Sequence, residues 1–224
     1  MTSSSTYKTR ISMNVELMHV MGDDMSIYNT AVISKRRQSN SPTHAHDGFI
    51  KNMVKNGELQ AFLHPQIQFL IRAPIEVSHR LRKHSDGTKW NELGDTKTGL
   101  KHLDQQVEFY TPTRERWREK SDNENVSIDE TTTDIILNLY DRSRHAYQHL
   151  VESKRLAPEE AALILPRSTY TEWVWTANLL AFSRICQIYS HKDANVELKE
   201  ITKQISDLIG QSFPISWKYL LGSF

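Results

Sequence analysis

Apolar side chains alternate with period two only in the first half of this chain, and from Glu130 onward the apolar patterns have helical spacing. That asymmetry argues against a regularly alternating parallel sheet. It predicts an α+β fold in which a mixed sheet with flanking helices is followed by a helical C-terminal half. Ile11 to Val20 has the pattern of a first strand, Gly22-Asp23-Asp24 turns the chain, and Met25 to Ile33 follows as a helix. Ser34 to Asp47 has no period and is predicted to be a loop. Asp47 is placed to cap a helix whose stripe is Phe49, Ile50, Met53 and Val54, with Gly57 ending it. Gln66 to Arg72 sets Ile67, Phe69 and Ile71 on one side of a half-buried strand, and Pro74 opens a helix over Ile75 to His84 that gives way to Ser85-Asp86-Gly87.

In the second half, Ser127 and Glu130 form a capping box for a long helix bearing Ile136, Leu139, Tyr147, Leu150 and Val151. Pro158 opens a short helix that Pro166 closes, and Thr171 to Tyr189 has the composition of a largely buried helix. Asp193 is placed to cap a final helix with Leu198, Ile201, Ile205, Leu208 and Ile209 inward before Gly210. After an N-terminal tail over residues 1–10, residues 11–224 are predicted to form one domain.

Charged residues are 25% of the 224 and hydrophobic residues 38%, an ordinary soluble composition without a membrane span. The tail lacks the apolar core of a secretory signal, and the one cysteine, Cys186, lies in an apolar helical stretch. A reducing cytoplasm, or a host cytoplasm for a viral protein, is the expected setting. A net charge of +1 offers no extended basic stripe for nucleic acid or membrane, so phosphate recognition must come from a local group of cations. His79, Arg80, Arg82, Lys83, His84 and Lys89 supply one.

Phe69 to Pro112 reads FLIRAPIEVSHRLRKHSDGTKWNELGDTKTGLKHLDQQVEFYTP. Here the chain resembles the flavin-dependent thymidylate synthases, as a diverged and phage-type member. Their hallmark is R-H-R, a spacer and S-x-N-E-x-S-x-R-Y, preceded by K-A-P-I and followed by E-F-Y-x-P. Arg72-Ala73-Pro74-Ile75 matches the approach, Lys83-His84-Ser85 stands at R-H-R, Trp90-Asn91-Glu92 matches the centre, and Glu108-Phe109-Tyr110-Thr111-Pro112 matches the exit. Met21-Gly22-Asp23-Asp24 through Val32-Ile33-Ser34 resembles the first helix and its A-R-V-S segment. Leu165-Pro166, Tyr170-Thr171-Glu172 and Asn178 resemble L-P-x-x-x-Y-T-E and a helical Asn. Ala194-Asn195 to Glu197-Leu198 stands at A-Q-x-E-I.

The resemblance implies the thymidylate synthase-complementing protein fold and a homotetramer with FAD at a subunit junction. NADPH and methylenetetrahydrofolate are the implied co-substrates, and a one-carbon unit passes to C5 of a pyrimidine nucleotide monophosphate without an enzyme nucleophile. By register it assigns Ser34, Lys83, His84, Asn91 and Asn178 to the cofactor, and Arg80, Lys89, Glu92, Lys97 and Tyr189 to the nucleotide.

The departures fall on binding positions. Lys83 and Ser85 replace two guanidinium forks, Lys89 replaces a Ser, Gly94 to Lys97 replaces S-x-R-Y, and Ala162 and Tyr189 stand where the family carries Arg for the nucleotide. In a helix running to His84, Arg80 would share a face with Lys83 and His84, and Lys97 would replace lost charge. Losing a base-facing Arg at Tyr189 admits a cytosine nucleotide beside dUMP. A flavoenzyme that alkylates C5, by methyl or hydroxymethyl transfer, therefore competes with a non-catalytic paralogue acting as a partner subunit. The blander readings are a loop for Thr43-His44-Ala45-His46 without a metal, and core or subunit-interface packing for Trp173, Trp175 and Phe182.

Overall fold

The computed structural model describes residues 9–10, 12–33, 38, 44–93, 107–112, 117–118, 125–126, 130–153 and 155–222. In chain order these form β1 (Thr9–Arg10), β2 (Asn14–Met21), α1 (Asp24–Val32), α2 (His44–Lys55), β3 (Gln66–Pro74), α3 (Ile75–Leu81), β4 (Thr88–Leu93) and β5 (Phe109–Tyr110). Then come β6 (Trp117–Arg118), β7 (Asn125–Val126), α4 (Glu130–Glu152), α5 (Pro158–Ala161), β8 (Tyr170–Asn178), α6 (Leu179–Ser190), α7 (Val196–Ser212) and α8 (Pro214–Leu221). The fold is α+β, as the patterning predicts. A four-stranded antiparallel sheet has the order β2-β3-β8-β4, and β1 pairs in parallel with β5.

The chain divides into two units, one of Met1–Met13, Arg72–Arg80 and Glu92–Trp173, the other of Asn14–Ile71, Leu81–Asn91 and Val174–Phe224. In the first unit, Tyr140 and Tyr147 of α4 bury themselves with Val107, Phe109 and Ala161, and Ile136, Leu150 and Val151 pack against that cluster. Leu139, expected inward, is 56% exposed, because the buried stripe of α4 runs through Tyr140 instead. Ser127, the expected cap, lies outside the described residues. The expected tail contributes Thr9 and Arg10 to a pairing with Phe109 and Tyr110.

In the second unit, Asp23 caps α1 through a reciprocal box: its carboxylate accepts from Ser26 N–H at 2.7 Å and Ser26 Oγ accepts from Asp23 N–H at 2.8 Å. The next helix starts at His44, so Asp47 is a first-turn acid and not its cap. Ile67, Phe69 and Ile71 are fully buried, as their alternation predicts.

Three boundaries differ from the pattern reading. The stretch Thr171 to Tyr189 is not one helix but strand β8 followed by α6. Tyr170 to Trp173, Trp175, Ala177 and Asn178 are all buried, and a strand covered on both faces shows no alternation to separate it from a buried helix. Asn178 makes the junction, with extended backbone and Oδ1 accepting from Ala181 N–H at 2.8 Å. The cap of α7 is Asn195, which accepts from Leu198 N–H at 3.2 Å, and not Asp193. That helix also runs through Gly210 to Ser212, after which Pro214 starts α8. The third difference is α3, which stops at Leu81 rather than His84, leaving a turn before β4.

Candidate functional site

The early end of α3 is what creates a site. His84 N–H donates to Leu81 O at 3.0 Å, Thr88 Oγ1 donates to His84 O at 2.8 Å, and Gly87 adopts φ +71° to turn the chain into β4. The loop is tied to α6 at two points. Asn178 N–H donates to Gly87 O at 3.2 Å, and a Cβ on Gly87 would lie 2.5 Å from Asn178 Nδ2, so only glycine permits this approach. His84 Nε2 is hydrogen-bonded to the Tyr189 hydroxyl at 2.9 Å, and the rings meet edge to face at 5.5 Å. Burial lowers the His84 pKa, which keeps the imidazole neutral at pH 7.

Between these ties lies a cavity of about 220 Å³. Lys83, His84, Ser85 and Asp86 line it from the loop, and Arg184 and Ile188 are among its residues on α6. Two cations against one carboxylate, with a hydroxyl, a neutral imidazole and an exposed aliphatic side chain, suit a phosphorylated ligand with a flat ring. Lys83, His84 and Asn178 are thus brought together around the loop, with Asn178 acting as helix cap and loop anchor. Arg184 was not among the residues singled out by sequence. Its signal is that it carries the single charge in the segment from Trp173 to Tyr189.

Of the remaining assigned residues, those described are not in the lining of this cavity. Ser34 and Lys97 are outside the described residues. Arg80 does not share a helical face with Lys83 and His84, because α3 has ended. It pairs with Glu76 at 2.8 Å and, with Arg167 assisting at 2.9 Å, holds that carboxyl below the usual carboxylate range. Lys89, Asn91 and Glu92 stand on β4, a strand that the pattern reading lacked, and the neighbours Asn91 and Glu92 project to opposite faces.

Trp175 is core, 5.4 Å from the Trp90 ring and 5.2 Å from Phe182, and Trp173 is fully buried. His44 and His46 stand in α2, not in a loop, and the buried His46 ring packs 4.1 Å from Tyr28. Cys186 is buried, which pushes its thiol pKa up strongly and leaves it protonated. A second cavity of about 350 Å³ between α6 and α7 includes Tyr189, Lys199, Thr202 and Lys203. Its polar groups are engaged locally, with Lys199 Nζ on Lys192 O at 2.6 Å, Lys203 on Asp207 at 3.2 Å and Thr202 Oγ1 on Leu198 O at 2.8 Å. None of the helices among the described residues is long and apolar enough to cross a membrane.

Comparison with known proteins supplies an independent line. A family model described as thymidylate synthase complementing protein matches residues 16–215. The chain is 24% identical over 206 residues to a flavin-dependent thymidylate synthase of Thermus thermophilus, covering 91% of this chain and 73% of the relative. It is 25% identical over 213 residues to one from Thermosipho africanus, covering 92% and 90%. A crystal structure of the UMP/dUMP methylase PolB from Streptomyces cacaoi bound with 5-Br dUMP superposes with a TM-score of 0.84. That similarity spans 96% of this chain and 97% of that chain at 21% identity. At that identity the superposition speaks for the shared fold.

Proposed function

Since the chain belongs to the thymidylate synthase complementing protein family, we propose that it is a flavin-dependent enzyme that transfers a one-carbon unit, methyl or hydroxymethyl, to C5 of a pyrimidine nucleotide monophosphate. FAD is the cofactor in this reading, NADPH the reductant and methylenetetrahydrofolate the donor. The observation that carries it is the cavity between Lys83-His84-Ser85 and α6, which sits at the stretch that resembles the family's flavin motif. Relatives called flavin-dependent thymidylate synthases support the cofactor, and the fold shared with a UMP/dUMP methylase supports a uracil monophosphate, with dCMP as the related candidate.

The residues present fit part of such a cofactor. Lys83 Nζ and Ser85 Oγ offer donors to a phosphoryl oxygen, and Ile188, 49% exposed, offers an apolar surface to a ring. About 220 Å³ is below the range of about 300–1,000 Å³ for drug-sized ligands, so one chain holds a portion of FAD and a neighbouring subunit supplies the rest. Exposed Ile135 and Leu139 on α4 and Leu163 at 82% favour assembly, and a homotetramer follows from the family reading. Bound there, FAD would supply two-electron hydride chemistry. The chain's own contribution is positional. His84, neutral and held by Tyr189, orients without adding charge, while Lys83 supplies positive potential toward the anionic ligands.

A visible spectrum of the purified protein with and without added FAD, followed by titration with dUMP, UMP and dCMP, tests the reading. Flavin absorbance perturbed by one nucleotide, and turnover of that nucleotide with methylenetetrahydrofolate and NADPH, are the expected results. Absence of any FAD affinity overturns it. FAD binding without turnover of any of the three nucleotides selects the non-catalytic partner subunit, a reading favoured by Tyr189 bonding within the chain at a position where the family carries Arg.

A further inference from the structure

The loop has lost two guanidinium groups relative to the family motif, at Lys83 and Ser85, yet the cavity it encloses still contains one. We propose that Arg184, reaching the cavity from α6, is the principal phosphoryl-binding residue of this chain, forming with Lys83 and Ser85 an anion site that the loop alone no longer makes. The proposal rests on the functional reading above for the identity of the ligand, but not for the chemistry of the site.

Four observations carry it. First, Arg184 lies on the helical row Ala181, Arg184, Ile185 and Ile188, the same row that lines the cavity opposite Lys83 and His84. The rest of α6 carries no charge, so this cation is not part of a solvated charged face. Second, among the described residues neither Arg184 nor Lys83 makes an ion pair or hydrogen bond, although Asp86 lines the same cavity. Arg72, Arg80, Arg144 and Arg167, by contrast, each contact a carboxylate. Lys83 and Arg184 outnumber Asp86 in the lining, so the cavity is net positive and attracts an anion. Third, a guanidinium presents a planar fork to two phosphoryl oxygens, whereas the ammonium of Lys83 acts as a point charge, so the geometric selectivity of the site resides in Arg184. Fourth, the walls are fixed in advance. The loop is held to α6 by Gly87 against Asn178 and by His84 against Tyr189, so the separation between loop and helix donors does not have to be created on binding.

The phosphoryl group can belong to the diphosphate of a flavin dinucleotide or to a nucleotide monophosphate. Inorganic pyrophosphate is the probe independent of both. In the full-length protein, pyrophosphate is expected to shift the Arg184 Nε–Hε resonance, and Arg184→Met to weaken pyrophosphate binding by about tenfold or more. That is the loss anticipated for one charge-assisted bidentate contact. Arg184→Lys should recover part of the affinity, since it restores charge without the fork. Because Arg184 is exposed, both variants should keep the wild-type urea midpoint. FAD against riboflavin, and dUMP against deoxyuridine, then identify the source: the pair in which Arg184→Met weakens only the phosphorylated member names it. Pyrophosphate affinity unchanged in Arg184→Met, or no binding to the wild type, overturns the proposal. A protein that binds pyrophosphate through Arg184 but has no affinity for FAD keeps this inference and loses the flavoenzyme reading.

Discussion

His84 and Tyr189 are joined across 105 residues of sequence by a 2.9 Å contact between imidazole Nε2 and phenol oxygen, with their rings perpendicular at 89°. Tyr189, which the motif resemblance sets against a family arginine, bonds inside its own chain and so holds the candidate site's histidine. Both groups are half-buried, so the bond should contribute about 1 kcal/mol. Tyr189→Phe is expected to lower stability by that amount in urea denaturation. A double-mutant cycle with His84→Gln should return a coupling of about 0.5 kcal/mol or more. Additive single effects would show that the contact is incidental.

The same histidine should impose a pH dependence. Burial lowers its pKa in the folded chain relative to about 6.5 in the unfolded chain, so the folded state disfavours the protonated ring. The unfolded state then binds more protons between the two values. The stability is fully present above about pH 6.5 and is lost as pH falls through the folded value. An NMR titration should place the His84 midpoint below 6.5, and His84→Gln should flatten the fall in urea midpoint between about pH 7 and 5. A midpoint above 6.5 contradicts the burial seen here.

Gly87 and Gly57 provide a matched pair. Both have positive φ, +71° and +73°, but a Cβ on Gly87 meets Asn178 Nδ2 at 2.5 Å and one on Gly57 meets nothing within 4 Å. Gly57→Ala should cost about 1 kcal/mol from backbone strain alone. Gly87→Ala adds displacement of the residue that caps α6 and should cost about 2 to 3 kcal/mol. It should also weaken ligand binding at the loop, whereas Gly57→Ala should not. Equal costs in chemical denaturation would remove the anchoring role assigned to Asn178.

What was legible in the sequence follows from which faces are buried. The strand β3 is readable because Ile67, Phe69 and Ile71 alternate with half-buried partners. The strand β8 is not, because Trp173, Trp175 and Ala177 are buried and Thr171, Glu172 and Asn178 are buried as well, which erases the period. The motif resemblance points to Lys83 and His84, which line a cavity beside α6, but it rests on shared residues and has nothing to say about Arg184, whose place depends on where α6 begins. The helical alignment of Arg80 with His84 fails for a local reason: the chain leaves the helix at Leu81 and turns through Gly87, a break that residue spacing alone does not reveal.

Asp24 holds the start of α8 from 191 and 192 residues away in sequence. Its buried carboxylate accepts Ile215 N–H and Ser216 N–H, each at 2.8 Å, and so satisfies two donors that no intrahelical partner reaches. Asp24→Ala should cost about 2 kcal/mol and raise amide exchange at residues 215 and 216 before the rest of α8. Asp24→Asn keeps an acceptor oxygen and should cost less. Unchanged protection of those two amides in Asp24→Ala would refute the capping role.

Arg72 carries the largest expected penalty. Its guanidinium bonds Glu108, lies 3.5 Å from Glu172 and stacks 5.5 Å from the Tyr170 ring centroid, while the two carboxylate side chains are only 12% and 11% exposed. Two nearly buried carboxylates bond one guanidinium, so removing it takes the positive charge from between two negative ones. The attraction within a well-formed buried pair roughly balances desolvation, but breaking it exposes the whole penalty of the remaining charge. Arg72→Met should therefore destabilise by about 3 to 5 kcal/mol. Adding Glu108→Gln and Glu172→Gln should restore a substantial part, since neutral amides no longer repel. Urea denaturation of the single and triple variants checks both signs, and a triple variant less stable than Arg72→Met alone would show that packing, not charge repulsion, sets the cost.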